Sequence, residues 1–251
     1  MTPDGEADPV TAERGFRDTL GVLSYELKTR IASVPSIALP IARLRKSGEV
    51  IGDDTDIVIE SFPRCASSFA VAAFRLAQEP QPMTIANHTH MPAQVLAAAR
   101  QGTPALVLTR EPEDAVLSHV IHTPNVTVAA SVRGYVRFYE PLVRVRQAFV
   151  LGRFEEVVRD FGSVIVRVNE RFGTTFTPFE HTDANLARLN LEIERDYGRR
   201  ARSPEELELI IPRPSTSREQ LKEGLRDHYR RVPDTLRKRA QRVFDRLRSS
   251  E

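Results

Sequence analysis

The alternation of short apolar, β-branched runs with helix-forming segments is the feature that most constrains the fold of this chain. Three such runs, at 57–59, 83–86 and 105–108, are each followed by a helical pattern. A fourth, at 147–151, precedes a helix that we expect over 155–172. Strands that alternate with helices favour a mostly parallel sheet covered on both faces. The sequence therefore predicts an α/β fold whose ligands bind at the carboxyl ends of the strands.

Helical patterns flank this region on both sides. Apolar residues recur at helical spacing within 11–30, and the chain after Thr182 is helical and strongly charged. A chain of 251 residues can bury a core of its own. We therefore expect a single domain over 1–251, which divides into a helical N-terminal arm (1–54), an α/β nucleotide-binding core (55–180) and a helical C-terminal region (181–251).

Composition and charge narrow the class of protein. A formal net charge of +2 is too small to indicate a nucleic-acid partner, and acidic residues interrupt the basic C-terminal stretch. A single cysteine excludes an intrachain disulfide and fits a reducing compartment. The first nine residues lack the apolar core of a secretory signal, and no run reaches the roughly 18 apolar residues of a membrane span. We expect a cytoplasmic protein.

The longest apolar segment, 31–42, is interrupted by Pro35 and Pro40. Basic residues follow it directly: Arg43, Arg45 and Lys46. An apolar segment beside basic residues is also the pattern of a membrane-surface contact. The interpretation that we favour is an arm packed on the domain.

The first chemical feature is the loop that follows the strand at 57–59. Segment 61–69, S-F-P-R-C-A-S-S-F, leads from a strand into a helix, where free backbone N–H groups and the helix dipole favour an anion. No Walker A pattern, G-x-x-x-x-G-K-[ST], occurs in the chain. Taken alone, the segment could equally be an ordinary polar turn. A phosphatase-type nucleophile at Cys65 lacks its arginine six residues later, where Val71 stands, so we expect Cys65 to pack the loop.

Three segments in order resemble motifs of the sulfotransferases that use 3'-phosphoadenosine-5'-phosphosulfate (PAPS). Segment 61–69 resembles the family's 5'-phosphosulfate loop, Y-P-K-S-G-T-T-W; segment 88–92, H-T-H-M-P, resembles T-H-L-P; and segment 109–118 resembles R-x-P-x-D-x-x-x-S. A softer similarity links 154–157 to the family's Y-E-D-L. The resemblance covers 56–176 and is closest to compact bacterial members. It implies a P-loop NTPase-like three-layer fold, PAPS as sulfuryl donor, 3',5'-adenosine bisphosphate (PAP) as product and no metal.

The resemblance also assigns roles to residues. It implies that His90 is the general base and that Arg64 stabilises charge on the bridging oxygen. The 5'-phosphate would lie on the loop formed by Arg64, Cys65, Ala66, Ser67, Ser68 and Phe69. The 3'-phosphate would pair with Arg110 and Ser118, eight residues apart, so that a strand end presents one and the next helix the other. Phe69 and Phe154 are candidates to cover the adenine.

The chain departs from the family pattern at several positions. Arginine replaces lysine at 64; Cys65 and Ala66 replace serine and glycine; and the two serines replace threonines. His88 stands where many cytosolic members carry a lysine. The family's C-terminal Arg-Lys-Gly motif is absent, and Arg213 and Arg218 are the nearest substitutes.

Other functions have to be weighed against sulfuryl transfer. Four histidines, at 88, 90, 119 and 122, are candidate ligands for a catalytic metal ion, but the H-E-x-x-H motif of zinc enzymes does not occur. A nucleotide-dependent kinase would need the missing Walker lysine. A degenerate family member that binds PAPS or PAP without turnover is the non-enzymatic alternative. The acceptor would offer a hydroxyl or an amine on a small molecule, a glycan or a lipid, and we expect 121–139 and the region after 182 to line its pocket.

Overall fold

The structure is a computed structural model that describes residues 9–211 and 215–249. Its sheet contains β1 (Ile57–Ser61), β2 (Ile85–Asn87), β3 (Ala105–Thr109) and β4 (Val150–Arg153). The strand order is β2-β1-β3-β4, and every neighbouring pair is parallel. All five residues of β1 and of β3 are buried, as expected for central strands covered on both faces.

Helices precede, connect and follow the strands. They are α1 (Pro9–Ile31), α2 (Pro35–Lys46), α3 (Ser67–Gln78), α4 (Pro92–Gln101), α5 (Pro112–His122), α6 (Val128–Val143), α7 (Phe154–Arg159), α8 (Phe161–Phe172), α9 (Asp183–Gly198), α10 (Pro204–Ile210), α11 (Thr216–Arg230) and α12 (Asp234–Arg248). None of the described helices is long and apolar enough to cross a membrane.

The strand order places helices on both faces of the sheet. Helix α3 leads from β1 outward to β2, whereas α4 returns across β1 to β3. Because such crossovers are right-handed, α3 and α4 lie on opposite faces. Helices α6 and α4 contact one another, while α7 contacts α3 and α8 contacts β4. The predicted three-layer α/β fold is confirmed, and its topological switch point lies between the carboxyl ends of β1 and β3.

Two local predictions were wrong. The helix expected over 155–172 is interrupted at Asp160, whose φ of −152° leaves the helical region and whose side chain caps α8 by accepting a hydrogen bond from the Ser163 N–H. The strand expected at 147–151 begins only at Val150, because a short 3-10 turn precedes it. The first difference is a capping effect, which apolar periodicity does not report.

The N-terminal helices pack on the α4–α6 side of the domain. The apolar segment 31–42 is divided at Pro35, because α1 ends at Ile31 and Pro35 begins α2, where its missing N–H is tolerated; Pro40 lies inside α2 without ending it. Glu26 of α1 ion-pairs with Arg133 and Arg137 of α6. At the other end of the chain, α12 packs on α6 through the apolar face that the sequence indicates: Ala240, Val243, Phe244 and Leu247. The division at residues 54 and 180 stays a prediction.

Candidate active site

A cavity of about 1110 Å³ opens at the carboxyl ends of β1 and β3. Most of the residues singled out from the sequence line it: Arg64, Ala66, Ser67, Ser68, Phe69, His90, Arg110, Ser118, Phe154 and Arg218. Cys65 is buried beneath the loop, and Arg213 lies outside the described residues. The switch point therefore brings together side chains that are up to 154 residues apart in sequence, from Arg64 to Arg218.

The loop before α3 has the backbone of an anion-binding turn. Arg64 and Ala66 both have φ near 69°, and Cys65 between them does not have a positive φ. Alternation of this kind turns successive N–H groups toward one side and forms a concave nest. Helix α3 then begins at Ser67, and the side chain of Ala66 provides no cap for its N-terminus. Its first N–H groups are consequently available to an anion at the loop.

Cys65 packs the underside of this loop. The thiol is fully buried, and its Sγ atom lies 3.5 Å from the hydroxyl oxygen of Tyr139. Burial raises the pKa of the Cys65 thiol to about 12. The sulfur is therefore protonated at neutral pH and cannot act as a nucleophile, which agrees with the packing role favoured from the sequence.

The Arg64 side chain connects the loop to distant parts of the chain. Its Nε donates to the Ser118 hydroxyl of α5 at 3.2 Å, and its Nη1 donates to the Ile210 carbonyl at the end of α10 at 2.8 Å. Burial, together with the positive charges of Arg218 and Arg110, lowers the pKa of Arg64 to about 10. The guanidinium is still charged at neutral pH. It lies in a partly desolvated region with two other cations.

Arg110 follows β3 and faces the same region. Its Nη1 donates to the Arg64 carbonyl at 3.4 Å, its Nη2 lies 3.6 Å from the Asp114 carboxylate, and its guanidinium lies 4.0 Å above the Phe154 ring. Its buried Nε has no hydrogen-bond partner among the described residues. A buried guanidinium donor without a protein partner is available to an acceptor from outside the chain.

Arg218 of α11 is the third cationic side chain near Arg64 and Arg110. The residue is buried and donates a hydrogen bond to the Ile211 carbonyl. We call Arg64, Arg110 and Arg218 the arginine cluster. Three guanidiniums in one buried region repel each other, so a bound polyanion would stabilise them. The arrangement suits phosphate groups, for which planar bidentate donors are well matched.

The two candidate adenine-covering rings lie at different places around the cavity. Phe69 stacks on the His181 ring, with centroids 5.9 Å apart, and meets Phe179 edge-on. One face of Phe154 is covered by the Arg110 guanidinium. Both phenylalanines line the cavity, but only the second is already engaged in a cation–π contact.

His90 is held in the tautomer that a base requires. Its Nδ1 lies 2.8 Å from the carbonyl oxygen of Ser61, the last residue of β1. A carbonyl can only accept, so Nδ1 carries the proton and, in the neutral ring, Nε2 carries the lone pair. The backbone at His90 is in the left-handed region, with φ of 52°. Such strain persists where the surrounding structure imposes it, and this is common at functional sites.

The Glu60 carboxylate imposes this backbone conformation at His90. Glu60 was not among the site residues predicted from the sequence. The Glu60 side chain is fully buried in β1 and accepts hydrogen bonds from the backbone N–H of Thr89 at 2.9 Å and of His90 at 3.1 Å. It also accepts from the Thr89 hydroxyl and from the Gln94 amide. A carboxylate inside an apolar strand is costly unless several donors satisfy it, and that was the signal in the sequence.

The other histidines around the cavity are engaged with the protein. The His88 Nδ1 contacts the Asn87 amide oxygen, and its Nε2 lies 3.4 Å from the Ser68 hydroxyl, which in turn lies 2.8 Å from the Tyr197 hydroxyl. This chain of contacts connects His88 to Ser68, at the start of α3, and to Tyr197 of α9.

His119 and His122 of α5 line the deep side of the cavity. His119 is buried, with its Nδ1 2.9 Å from the Ser131 hydroxyl. Burial lowers the pKa of His119 to about 3 and that of His122 to about 4. Both rings are therefore neutral at pH 7. Within the described ranges, no three His, Cys, Asp or Glu side chains form a group that could hold a metal ion.

Comparisons with known proteins give limited information. No family model and no curated protein matches the chain. Among solved structures, the crystal structure of mouse sulfotransferase SULT7A1 complexed with PAP is similar, at 12% sequence identity and a TM-score of 0.42, over 79% of this chain and 91% of that chain. A similarity of this size carries no inference about activity, so the chemistry has to be derived from the residues of the site.

Proposed function

We propose that this protein is a sulfotransferase that binds PAPS in the cavity and transfers its sulfuryl group to an acceptor hydroxyl or amine. One observation carries the proposal: a single cavity holds an anion-binding loop, the arginine cluster and an imidazole in the base tautomer. PAPS carries two anionic groups, and the loop and the cluster, which share Arg64, offer donors for both. A cavity of about 1110 Å³ has room for a nucleotide and part of an acceptor.

The residues fit the donor as follows. We assign the 5'-phosphosulfate to the N–H groups of the loop and of the first turn of α3, with the hydroxyls of Ser67 and Ser68. Arg110, whose buried Nε has no hydrogen-bond partner among the described residues, and the Ser118 hydroxyl are assigned to the 3'-phosphate. Arg218 takes the place of the missing C-terminal motif. When bound, PAPS supplies an activated sulfuryl group.

The protein's own contribution to the chemistry is positioning and proton transfer. His90 accepts the acceptor's proton at Nε2 while Nδ1–H stays bonded to the Ser61 carbonyl, so the ring becomes a cation without turning. Arg64, charged and buried, stabilises negative charge that develops toward the loop. Transfers of this kind depend mainly on alignment and electrostatics, which a rigid strand end and helix start can supply.

Calorimetric titration with PAP tests the donor site. We expect micromolar binding that ATP and 5'-AMP do not match, because neither carries a 3'-phosphate. Arg110→Ala should weaken PAP binding by roughly 10- to 100-fold, the worth of a charge-assisted hydrogen bond. Arg239→Ala, which removes an exposed arginine paired with Glu140, is the control and should leave PAP binding unchanged. Equal binding of ATP would favour the kinase alternative.

His90→Ala separates catalysis from binding. Loss of a general base should lower turnover by about 10²- to 10⁴-fold while PAP binding stays the same. Unchanged turnover would exclude His90 as the base. PAP binding without any turnover on a broad panel of small-molecule, glycan and lipid acceptors would favour the degenerate binder.

Because the one cysteine is a free, buried thiol, we propose a reducing compartment such as the cytoplasm.

A further inference from the structure

The outer surface of the two N-terminal helices is apolar. Seven of the ten large apolar side chains that are exposed in the described part of the chain lie between residues 20 and 44: Leu20, Leu23, Leu27, Val34, Ile37, Ile41 and Leu44. Leu44 is 88% exposed and Leu27 is 60% exposed. Single exposed leucines need no explanation, but a concentration of this kind marks an interaction surface. We call these seven residues the apolar stripe.

The stripe has helical spacing on both helices. Leu20, Leu23 and Leu27 follow one another at intervals of three and four on α1, and residues 37, 41 and 44 do the same along α2, with Val34 directly before it. Each set therefore lies on one side of its helix. On the other side of α1, two residues along from the exposed leucines, Tyr25 and Thr29 line the active-site cavity. Helix α1 therefore separates the cavity from this surface.

The charges beside the stripe are of one sign. The segment 27–46 contains no Asp or Glu and five basic residues: Lys28, Arg30, Arg43, Arg45 and Lys46. Lys28 lines the cavity and Arg43 donates to the Ile51 carbonyl, whereas Arg30 and Arg45 are exposed beside the stripe. The one carboxylate of the adjoining turn of α1, Glu26, is turned toward α6, where it pairs with two arginines. Apolar side chains flanked by arginine and lysine match a lipid surface with anionic headgroups.

The same charges argue against a second copy of the chain as the occupant. A twofold dimer through the stripe would place the same surface patch on both sides of the interface. The basic residues of one copy would then face those of the other, with no acidic partner in the segment. An anionic bilayer has no such conflict, because its headgroups complement every flanking charge.

We propose that the apolar stripe docks this protein onto an anionic membrane surface. The leucines and isoleucines enter the headgroup boundary while the flanking arginines contact lipid phosphates. Docking would place the cavity wall formed by α1 beside the bilayer. This proposal does not depend on the sulfotransferase assignment, since it concerns the face of α1 that does not line the cavity.

Vesicle co-sedimentation tests the proposal directly. We expect the protein to pellet with phosphatidylcholine vesicles that contain phosphatidylglycerol and to stay in solution with pure phosphatidylcholine. The double variant Leu23→Glu/Leu44→Glu should lose at least about tenfold in vesicle affinity, because burial of each leucine in lipid is removed. Leu191→Glu/Leu221→Glu is the matched control: it alters two other exposed helical leucines and makes the same charge change, and it should bind vesicles like the unchanged protein.

A fluorescence experiment gives a second readout that does not depend on folding defects. The chain contains no tryptophan, so Leu44→Trp introduces a single fluorophore at the most exposed position of the stripe. Its emission should shift to shorter wavelength on anionic vesicles, whereas that of Leu191→Trp should not. PAP titration of the same variants reports separately on the active site.

Three results would overturn the proposal. The first is no binding to anionic vesicles while Leu44→Trp unfolds cooperatively at the same temperature as the unchanged protein. The second is equal binding to neutral vesicles. The third is a dimer in sedimentation equilibrium that Leu23→Glu/Leu44→Glu converts to monomer without vesicles, which would assign the stripe to a second copy of the chain.

Discussion

The buried carboxylate of Glu60 accepts a hydrogen bond from the backbone N–H of His90 at 3.1 Å. Glu60 lies inside β1, and His90 lies in the turn after β2, with φ of 52°. Glu60 therefore fixes the backbone of the candidate base, while the Ser61 carbonyl fixes its ring. Two consecutive residues of one central strand thus determine both the position and the tautomer of His90.

Replacing Glu60 should damage stability and turnover together. Glu60→Ala leaves the N–H groups of Thr89 and His90 and the Gln94 amide without their acceptor, at about 1–3 kcal/mol each. We expect the free energy of unfolding to fall by roughly 3 kcal/mol or more in a denaturant titration. Glu60→Gln retains the volume and one acceptor oxygen, so it should fold and bind PAP. Its turnover should nevertheless be reduced; full turnover in Glu60→Gln would show that the carboxylate does not position His90.

Arg64→Lys should loosen α10. This helix buries none of its own side chains, and Arg64 donates to the Ile210 carbonyl at its end. A lysine ammonium lacks the planar fork that reaches this carbonyl and the Ser118 hydroxyl at once. Faster amide hydrogen exchange in 204–211 and about tenfold weaker PAP binding are the expected results. Arg239→Lys, on an exposed ion pair, should change neither; unaltered exchange in Arg64→Lys would show that other contacts anchor α10.

Ala66→Gly should stabilise the protein. Ala66 has φ of 69° and ψ of 18°, a left-handed conformation that costs a residue with a Cβ about 1 kcal/mol or more. Glycine adopts it freely but loses more conformational entropy on folding, so we expect a net gain of roughly 0.5 kcal/mol in thermal unfolding. Ala97→Gly, inside α4, should have the opposite sign and destabilise by about 1 kcal/mol. A loss of stability in Ala66→Gly would mean that the Cβ packing outweighs the backbone strain.

Stability should fall with acidification because of the buried histidines. Burial lowers the pKa of His119 to about 3 and that of His122 to about 4, below the unperturbed value of about 6.5. Between these values the unfolded chain binds protons that the folded chain does not, so stability present above pH 6.5 is lost as the pH falls toward 4. Each histidine contributes a slope of up to about 1.4 kcal/mol per pH unit.

Histidine variants check the origin of this slope. Denaturant titrations from pH 7 to pH 4 should show a shallower dependence for His119→Gln than for the unchanged protein. His228→Gln, which alters an exposed histidine of α11, should leave the slope as it is. If His119→Gln and the unchanged protein lose stability in parallel, His119 is not the group that takes up the proton.

Local sequence patterns predicted the elements well where they depend on periodicity. The helical pattern expected after the run at 83–86 is found as Pro92–Gln101, and Gly102 ends it in the left-handed conformation. The helix expected over 155–172 failed, because the side chain of Asp160 starts a new helix and apolar spacing continues across the break. The residue at a helix cap decides where such a boundary falls. Whether its side chain caps the helix depends on the backbone conformation, which apolar spacing does not specify.

The amino-acid sequence by itself determined the alternation of strands and helices, the strand–loop–helix order around Arg64 and the Arg110–Ser118 spacing, because each depends on neighbours within a few residues. Only the tertiary structure decided that Arg64 contacts Ile210, 146 residues away, that Arg218 joins the same cluster, and that Glu60 holds His90. These contacts arise where the order of parallel strands reverses and distant helices converge on the strand ends. This convergence depends on how the layers pack, which the local periodicity of apolar residues does not specify.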